Sequence, residues 1–194
     1  IDGTSVLRAL TGDLLISNTQ ANDDVRGSGT FQIILAGEDA KLTLAEGARI
    51  VRSNGHSYLA DKMDLRGTIS SPFIVHLMPS TADKAIDLGS VNDDLLNTLE
   101  LSDAELDRIT AGTLRIGASN AGAIDITAAI SPAGTSALEL ITGGAVGPIP
   151  VGNAAVTVNN LSVTAEAGVG IRTTAGTLDV INTASGNVQV VETD

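Results

Sequence analysis

The sequence contains no cysteine and no tryptophan, and its aromatic complement is one tyrosine and two phenylalanines in 194 residues. Without thiols there is neither a disulfide framework nor a thiolate zinc site, and compartment cannot be read from cysteine pairing. The aromatic anchors that dominate compact cores are nearly missing, yet 43% of the chain is hydrophobic. Alanine, valine, isoleucine and leucine must therefore build the interior. Cations are scarce as well: 11 Lys and Arg stand against 23 Asp and Glu, a formal charge of −12 with a pI of about 4.3. No lysine follows Lys84, and from Gly117 onward Arg172 is the lone cation against six carboxylates. Nucleic-acid affinity comes largely from Lys and Arg, so DNA and RNA are not expected partners. No run of 18 apolar residues is present, and no basic segment precedes a short apolar one at the start. Neither a membrane span nor a signal peptide is expected. The chain opens on Ile1, which reads as a processed product or an excerpt of a longer protein.

What the chain has instead is a recurring short pattern of apolar, polar, apolar. It occurs at Leu14-Leu15-Ile16, Phe31-Gln32-Ile33, Leu42-Thr43-Leu44, Met63-Asp64-Leu65, Ile74-Val75-His76-Leu77 and Ile86-Asp87-Leu88. It resumes at Leu114-Arg115-Ile116, Ile124-Asp125-Ile126, Leu138-Glu139-Leu140, Val156-Thr157-Val158, Leu161-Ser162-Val163, Val169-Gly170-Ile171, Leu178-Asp179-Val180 and Val188-Gln189-Val190. This is the period of a half-buried strand. Gly143-Gly144, Asn159-Asn160, Gly176 and Gly186 separate the runs with residues that tolerate positive φ. Leu114 and Ile124 open runs ten residues apart, and Val169, Leu178 and Val188 recur at intervals of nine and ten. Such spacing signals internal repetition and fits a β-sandwich or a parallel β-solenoid. A sandwich is normally built on large anchors such as a buried Trp or Tyr. A solenoid stacks medium aliphatics in ladders and needs none. The expected fold is therefore all-β, a right-handed parallel β-helix (β-solenoid), forming one segment over residues 1–194.

One stretch departs from the pattern, an acidic excursion over 92–109. Within it Ser102 is followed three residues later by Glu105, the signature of a capping box. Asp103 and Glu105 also suit the positive end of a helix dipole. A short helical insert is expected near 102–109, with Leu106 and Ile109 turned onto the core.

The segment Leu101-Ser102-Asp103-Ala104-Glu105-Leu106-Asp107-Arg108-Ile109-Thr110-Ala111-Gly112-Thr113-Leu114-Arg115-Ile116-Gly117 resembles one that recurs in very large bacterial surface proteins of the filamentous-haemagglutinin-like type. The continuation through Ile124-Asp125-Ile126 and Leu138-Glu139-Leu140 to Val146 is similar to the same proteins. The resemblance implies a right-handed β-helix, a bacterial extracellular or cell-surface location, and a role as stalk, adhesin or matrix component. It carries over no catalytic residue, because the repeats shared by that family are scaffolding.

Parallel β-helices also carry pectin-degrading enzymes, which need clustered acids and a cation for the uronate. The triplets Asn22-Asp23-Asp24 and Asn92-Asp93-Asp94, with His56 in Ser53-Asn54-Gly55-His56-Ser57, resemble fragments of the polygalacturonase pattern. The order is not reproduced, Ser57 stands where a second Gly is needed, and no Arg-x-Lys element follows. No catalytic residue and no enzymatic activity are therefore expected. His76, alternating within an apolar run, reads as a structural strand histidine. Two histidines without cysteine leave no transition-metal spacing. Calcium needs only oxygen ligands, which Asp23, Asp24, Asp93 and Asp94 offer in turns. They are the candidate metal residues, and no other cofactor is expected. The glycines of Gly143-Gly144-Ala145-Val146-Gly147 lack the lysine of a phosphate-binding loop.

A solenoid is a stiff rod whose ends expose unpaired backbone groups. The expected function is a structural and adhesive rod module of a large secreted or surface protein. Its partners would be copies or neighbouring repeats met end to end, or a host glycan or protein receptor. The alternatives are a self-assembling extracellular filament subunit and, last, a carbohydrate-active enzyme.

Overall fold

A computed structural model describes residues 4–18, 24–92, 95–148 and 155–193. In the first half the described residues run through nine strands without a helix. These are β1 (Ser5–Ala9), β2 (Leu14–Ile16), β3 (Val25–Gly27), β4 (Phe31–Leu35), β5 (Lys41–Leu44), β6 (Arg49–Arg52), β7 (His56–Leu59), β8 (Lys62–Leu65) and β9 (Thr68–Met78). From β1 to β6, each strand pairs with the strand three places on, always in parallel. Parallel neighbours need a crossover, commonly a helix; here two further strands supply it. The 11-residue β9 serves two neighbours, its first residues pairing with β6 and its last with β7.

The second half contains β10 (Ala85–Leu88), β11 (Thr98–Leu101), the helical turn α1 (Asp103–Leu106), β12 (Ile109–Ala118), β13 (Ile124–Ile126), β14 (Ala137–Thr142), β15 (Val156–Ala165), β16 (Val169–Asn182) and β17 (Val188–Glu192). One sheet of 11 strands and two of three strands, β2-β5-β8 and β11-β10-β13, result. The fold is all-β with parallel pairing, as the alternating pattern predicts.

The helical insert is shorter than expected. The capping box forms, with Ser102 as N-cap accepting from the Glu105 N–H, but the helix ends at Leu106. Ile109 is already the first residue of β12, in register with Ile69, because strand pairing captures its backbone. Leu106 and Ile109 are both buried, as their spacing requires. Thr98–Leu101, inside the acidic excursion, is a strand beside β10.

Parallel in-register pairing stacks like on like. One inward ladder runs Leu7, Ile33, Tyr58, Leu77, Ile116, Leu140, Val163 and Val180 across eight strands. Another runs Leu99, Ile86, Ile124, Val146, Val169 and Val188. The interior members of both belong to one continuous core that draws on all three sheets. Burial falls away at the first and last described strands, where Leu7 is 43% and Val188 51% exposed, whereas Leu99, at the other end of the second ladder, is fully buried. Gly117 marks a position that only glycine fills, with φ of +84° and a Cβ that would lie 2.2 Å from the Ile141 carbonyl oxygen.

Candidate functional site

The outward faces of the ladders carry the polar chemistry. On the sheet β11-β10-β13, Glu100, Asp87 and Asp125 are direct register partners on three consecutive strands. Strands lie about 4.8 Å apart, so the three carboxylates form an acidic ladder. Glu100 and Asp87 are its buried members. Burial raises the Asp87 carboxyl above its ordinary range, and the charges of Glu100 and Asp125 act in the same direction against hydrogen bonds from Thr127 and the Ser90 backbone. Thr127 Oγ1 donates to Asp87 Oδ1 at 2.5 Å. Burial likewise raises Asp125.

Glu100 is almost fully buried, and the excursion wraps around it. Its Oε1 accepts from Ser90 Oγ at 2.8 Å and its Oε2 from the Leu95 N–H at 2.7 Å. Lys62 Nζ lies 3.7 Å from the same Oε2 and donates to the Leu95 carbonyl. Beside this cluster opens a cleft of about 230 Å3 whose lining includes Lys41, Asp64, Ser90, Glu100 and Glu105.

A second polar centre is built around a buried carboxylate. Asp61 is fully buried where β7 turns into β8, and it gathers the neighbouring loop by its carboxylate. Oδ1 accepts from the Ser80 N–H and Oγ at 2.9 Å and from the Thr81 N–H at 2.8 Å, while Oδ2 accepts from Thr81 Oγ1 at 2.6 Å. Lys84 Nζ bridges Asp61 and Asp39. Burial pushes the Asp61 carboxyl up, but the hydrogen bonds from Thr81, Lys84 and Ser80 outweigh it and hold the pKa at about 2.

On the largest sheet the outward ladder reads Gln32, Ser57, His76, Arg115, Glu139, Ser162 and Asp179. Arg115 Nε bonds Glu139 Oε2 at 2.6 Å. Half-buried His76 has its Nε2 2.7 Å from the Gly117 carbonyl oxygen, and burial lowers its pKa. That is the structural role expected of it. Two further clefts lie on this sheet. One of about 490 Å3 is bordered by Asn54, Gly55, Phe73 and Gly112, and one of about 200 Å3 by Glu139, Ser162 and Asp179.

Of the candidate calcium ligands, Asp23, Asp93 and Asp94 lie outside the described residues. Asp24 Oδ2 accepts the Arg49 N–H at 2.9 Å, so its carboxylate ties β3 to β6. Among the described residues no group of three or more His, Asp or Glu is arranged to hold a metal ion. Also among them, no helix is long and apolar enough to cross a membrane.

His56 is buried rather than facing an exterior groove. It occupies an inward ladder position between Phe31 and Val75. Its Nδ1 lies 2.7 Å from Tyr58 Oη, and burial, with the Arg52 charge beside it, lowers its pKa to about 4.

The acidic ladder was readable in part. Ile86-Asp87-Leu88 and Ile124-Asp125-Ile126 are matching triplets, and Leu99-Glu100-Leu101 is a third that the acidic excursion obscured. No local signal marks Asp61, because its partners arrive from a loop 19 and 20 positions away. No family model, curated protein or solved structure matches this chain.

Proposed function

We propose that this chain is a right-handed parallel β-helix serving as a structural and adhesive rod module of a large secreted or cell-surface bacterial protein. The observation that carries the reading is the inward ladder from Leu7 to Val180, built by parallel strands whose pairing is interrupted by one register shift, between Ala111 and Thr113 where β12 meets β9. Coils stacked in this way form a stiff rod whose exposed sides are free for recognition. The bacterial surface location and the adhesive role rest on the resemblance of residues 101–146. A host glycan or protein receptor would meet the lateral clefts and polar ladders.

Light scattering with small-angle X-ray scattering, with and without calcium, tests the proposal. The expected result is a monodisperse monomer longer than a globule of 19.6 kDa. A compact profile would sink the β-helix reading.

A second reading, a filament subunit that stacks end to end, is favoured by the terminal strands. Among the described strands β1 pairs only with β4 and β17 only with β16. Their inward-facing Leu7, Val188 and Val190 are exposed. Particle mass that grows with protein concentration, and that Val190→Lys abolishes, would select this reading over the first.

A further inference from the structure

The inward ladder at the end of β6 carries a residue that aliphatic stacking does not explain. In Arg49-Ile50-Val51-Arg52 the two-residue period sends Ile50 and Arg52 to the same inner face, and both are buried. Arg52 is 1% exposed. Its register neighbour on β3 is Gly27, which brings no side chain beside it. Ser71, one position beyond the Val51 partner Ser70, turns its hydroxyl to the Asn54 carbonyl at 3.0 Å.

The guanidinium is incompletely bonded. Nη2 donates to the Gly29 carbonyl at 2.8 Å, and the guanidinium carbon lies 5.0 Å from the Phe31 ring centroid. Nε and Nη1 have no partner, and among the described residues no carboxylate is in ion-pair contact with Arg52. Arginine does not shed its proton, and ring contact compensates a buried charge only in part. His56 stands beside Phe31 in register and is also buried, with Nε2 unpartnered. Tyr58 is fully buried and its phenol is held protonated by that burial. His56 is the one hydrogen-bond partner of Tyr58 Oη among the described residues, so the buried phenol proton is satisfied when the O–H donates to Nδ1, which leaves the imidazole proton on Nε2. All three orphan groups are N–H donors. Buried donors and buried charges are ordinarily paired.

We propose that Arg52 and His56, packed about Phe31, form an internal binding site for a small monovalent anion of the halide class, which neutralises the guanidinium and accepts the free N–H bonds. Water could accept the hydrogen bonds but would leave the charge uncompensated. Neither side chain lines the clefts described above, so the proposal is confined to the smallest anions. The chain's formal charge of −12 disfavours anions over its surface generally, so a specific halide effect points inward.

Bromide is the probe. In crystals of the chain soaked in sodium bromide, an anomalous peak is expected within hydrogen-bonding distance of Arg52 Nε and Nη1. In solution at fixed ionic strength, replacing gluconate by bromide should raise the melting temperature by several degrees over about a hundredfold concentration range. Arg52→Met should abolish that dependence, and His56→Phe should move its midpoint to several-fold higher bromide. If Arg52→Met does not fold, the wild-type crystal and the wild-type titration decide. Water without an anomalous peak beside the guanidinium, or melting temperatures that coincide in gluconate and bromide, would overturn the site. A bromide shift that Arg52→Met retains would overturn it equally.

Discussion

Lys84 Nζ lies 3.0 Å from Asp61 Oδ2, and neither side chain is more than 2% exposed. This pair fastens the loop after β9 to the turn between β7 and β8, with Asp39, itself at a φ of +54°, as the second acid on the lysine. Removing one partner of a buried pair costs about 3–5 kcal/mol, because the other charge is left uncompensated. Asp61→Ala should lose stability on that scale, seen as a lower urea midpoint. The pH dependence follows from the sign of the shift. A carboxyl held at about 2 in the folded state contributes stability above the ordinary carboxylate pKa of about 3.9, and that contribution is lost as pH falls through the folded value. Wild-type protein should lose stability between about pH 4 and 2, and Asp61→Asn should be flatter across that window. Parallel curves would show that Asp61 is not what titrates.

The acidic ladder predicts the opposite sign. Asp87 and Asp125 are raised in the folded state, so at neutral pH folding is opposed by their ionisation, and the penalty disappears once both are protonated. Asp125→Asn removes a like charge directly opposite Asp87. It should stabilise the protein at pH 7 by about 0.2–1 kcal/mol, lower the Asp87 titration midpoint seen by carboxyl NMR, and have no effect in acid. An unchanged Asp87 midpoint would show that the Asp125 charge does not contribute to it.

The legible part of the fold was the part that repeats. Triplets such as Leu114-Arg115-Ile116 and Leu138-Glu139-Leu140 declare both the strand and its inner face, and in-register pairing adds little beyond their alignment. The longer strands were less visible. Thr68–Met78 is one strand, of which the alternating pattern marked only Ile74-Val75-His76-Leu77; it runs on through Pro72, which has no N–H to pair, and Ser71 Oγ accepts the Phe73 N–H there. Arg52 and Asp61 were hidden for a different reason. The two-residue period places Arg52 inside with Ile50, and only the cost of burying a charge argues against it. Asp61 has no pattern at all, since its hydrogen-bond donors become neighbours only when the chain returns. The helix start at Ser102 was readable from two residues, while its end was set by pairing of Ile109 with Ile69.

Glu105 does more than close the capping box. Its Oε2 accepts the Ser102 N–H at 2.9 Å, and its Oε1 accepts the Leu65 N–H on β8 at 3.0 Å. Ser102→Ala removes one cap acceptor and should cost about 1 kcal/mol. Glu105→Ala leaves two backbone donors without acceptors, each costing about 1–3 kcal/mol. Glu105→Ala should therefore be the more damaging of the two in urea unfolding, and amide exchange at Leu65 should accelerate in it but not in Ser102→Ala. The reverse order would assign the segment's stability to the serine cap.

Position along the ladder should decide what a leucine is worth. Leu140 lies in register between Ile116 and Val163 and has no solvent exposure, so Leu140→Ala removes contacts on both sides and opens a cavity. Such truncations cost about 2–5 kcal/mol. Leu7 occupies the same ladder but among the described strands has Ile33 alone as a register neighbour and is 43% exposed, so Leu7→Ala should cost about 1 kcal/mol, close to the transfer of the little surface it hides. The comparison also separates the two functional readings. In a monomeric rod the Leu7→Ala cost is independent of protein concentration. If a second copy covers β1, the wild type gains stability with concentration by mass action, Leu7 becomes an interior residue, and its truncation penalty rises toward that of Leu140. Denaturation of both variants at low and high protein concentration reads the difference directly.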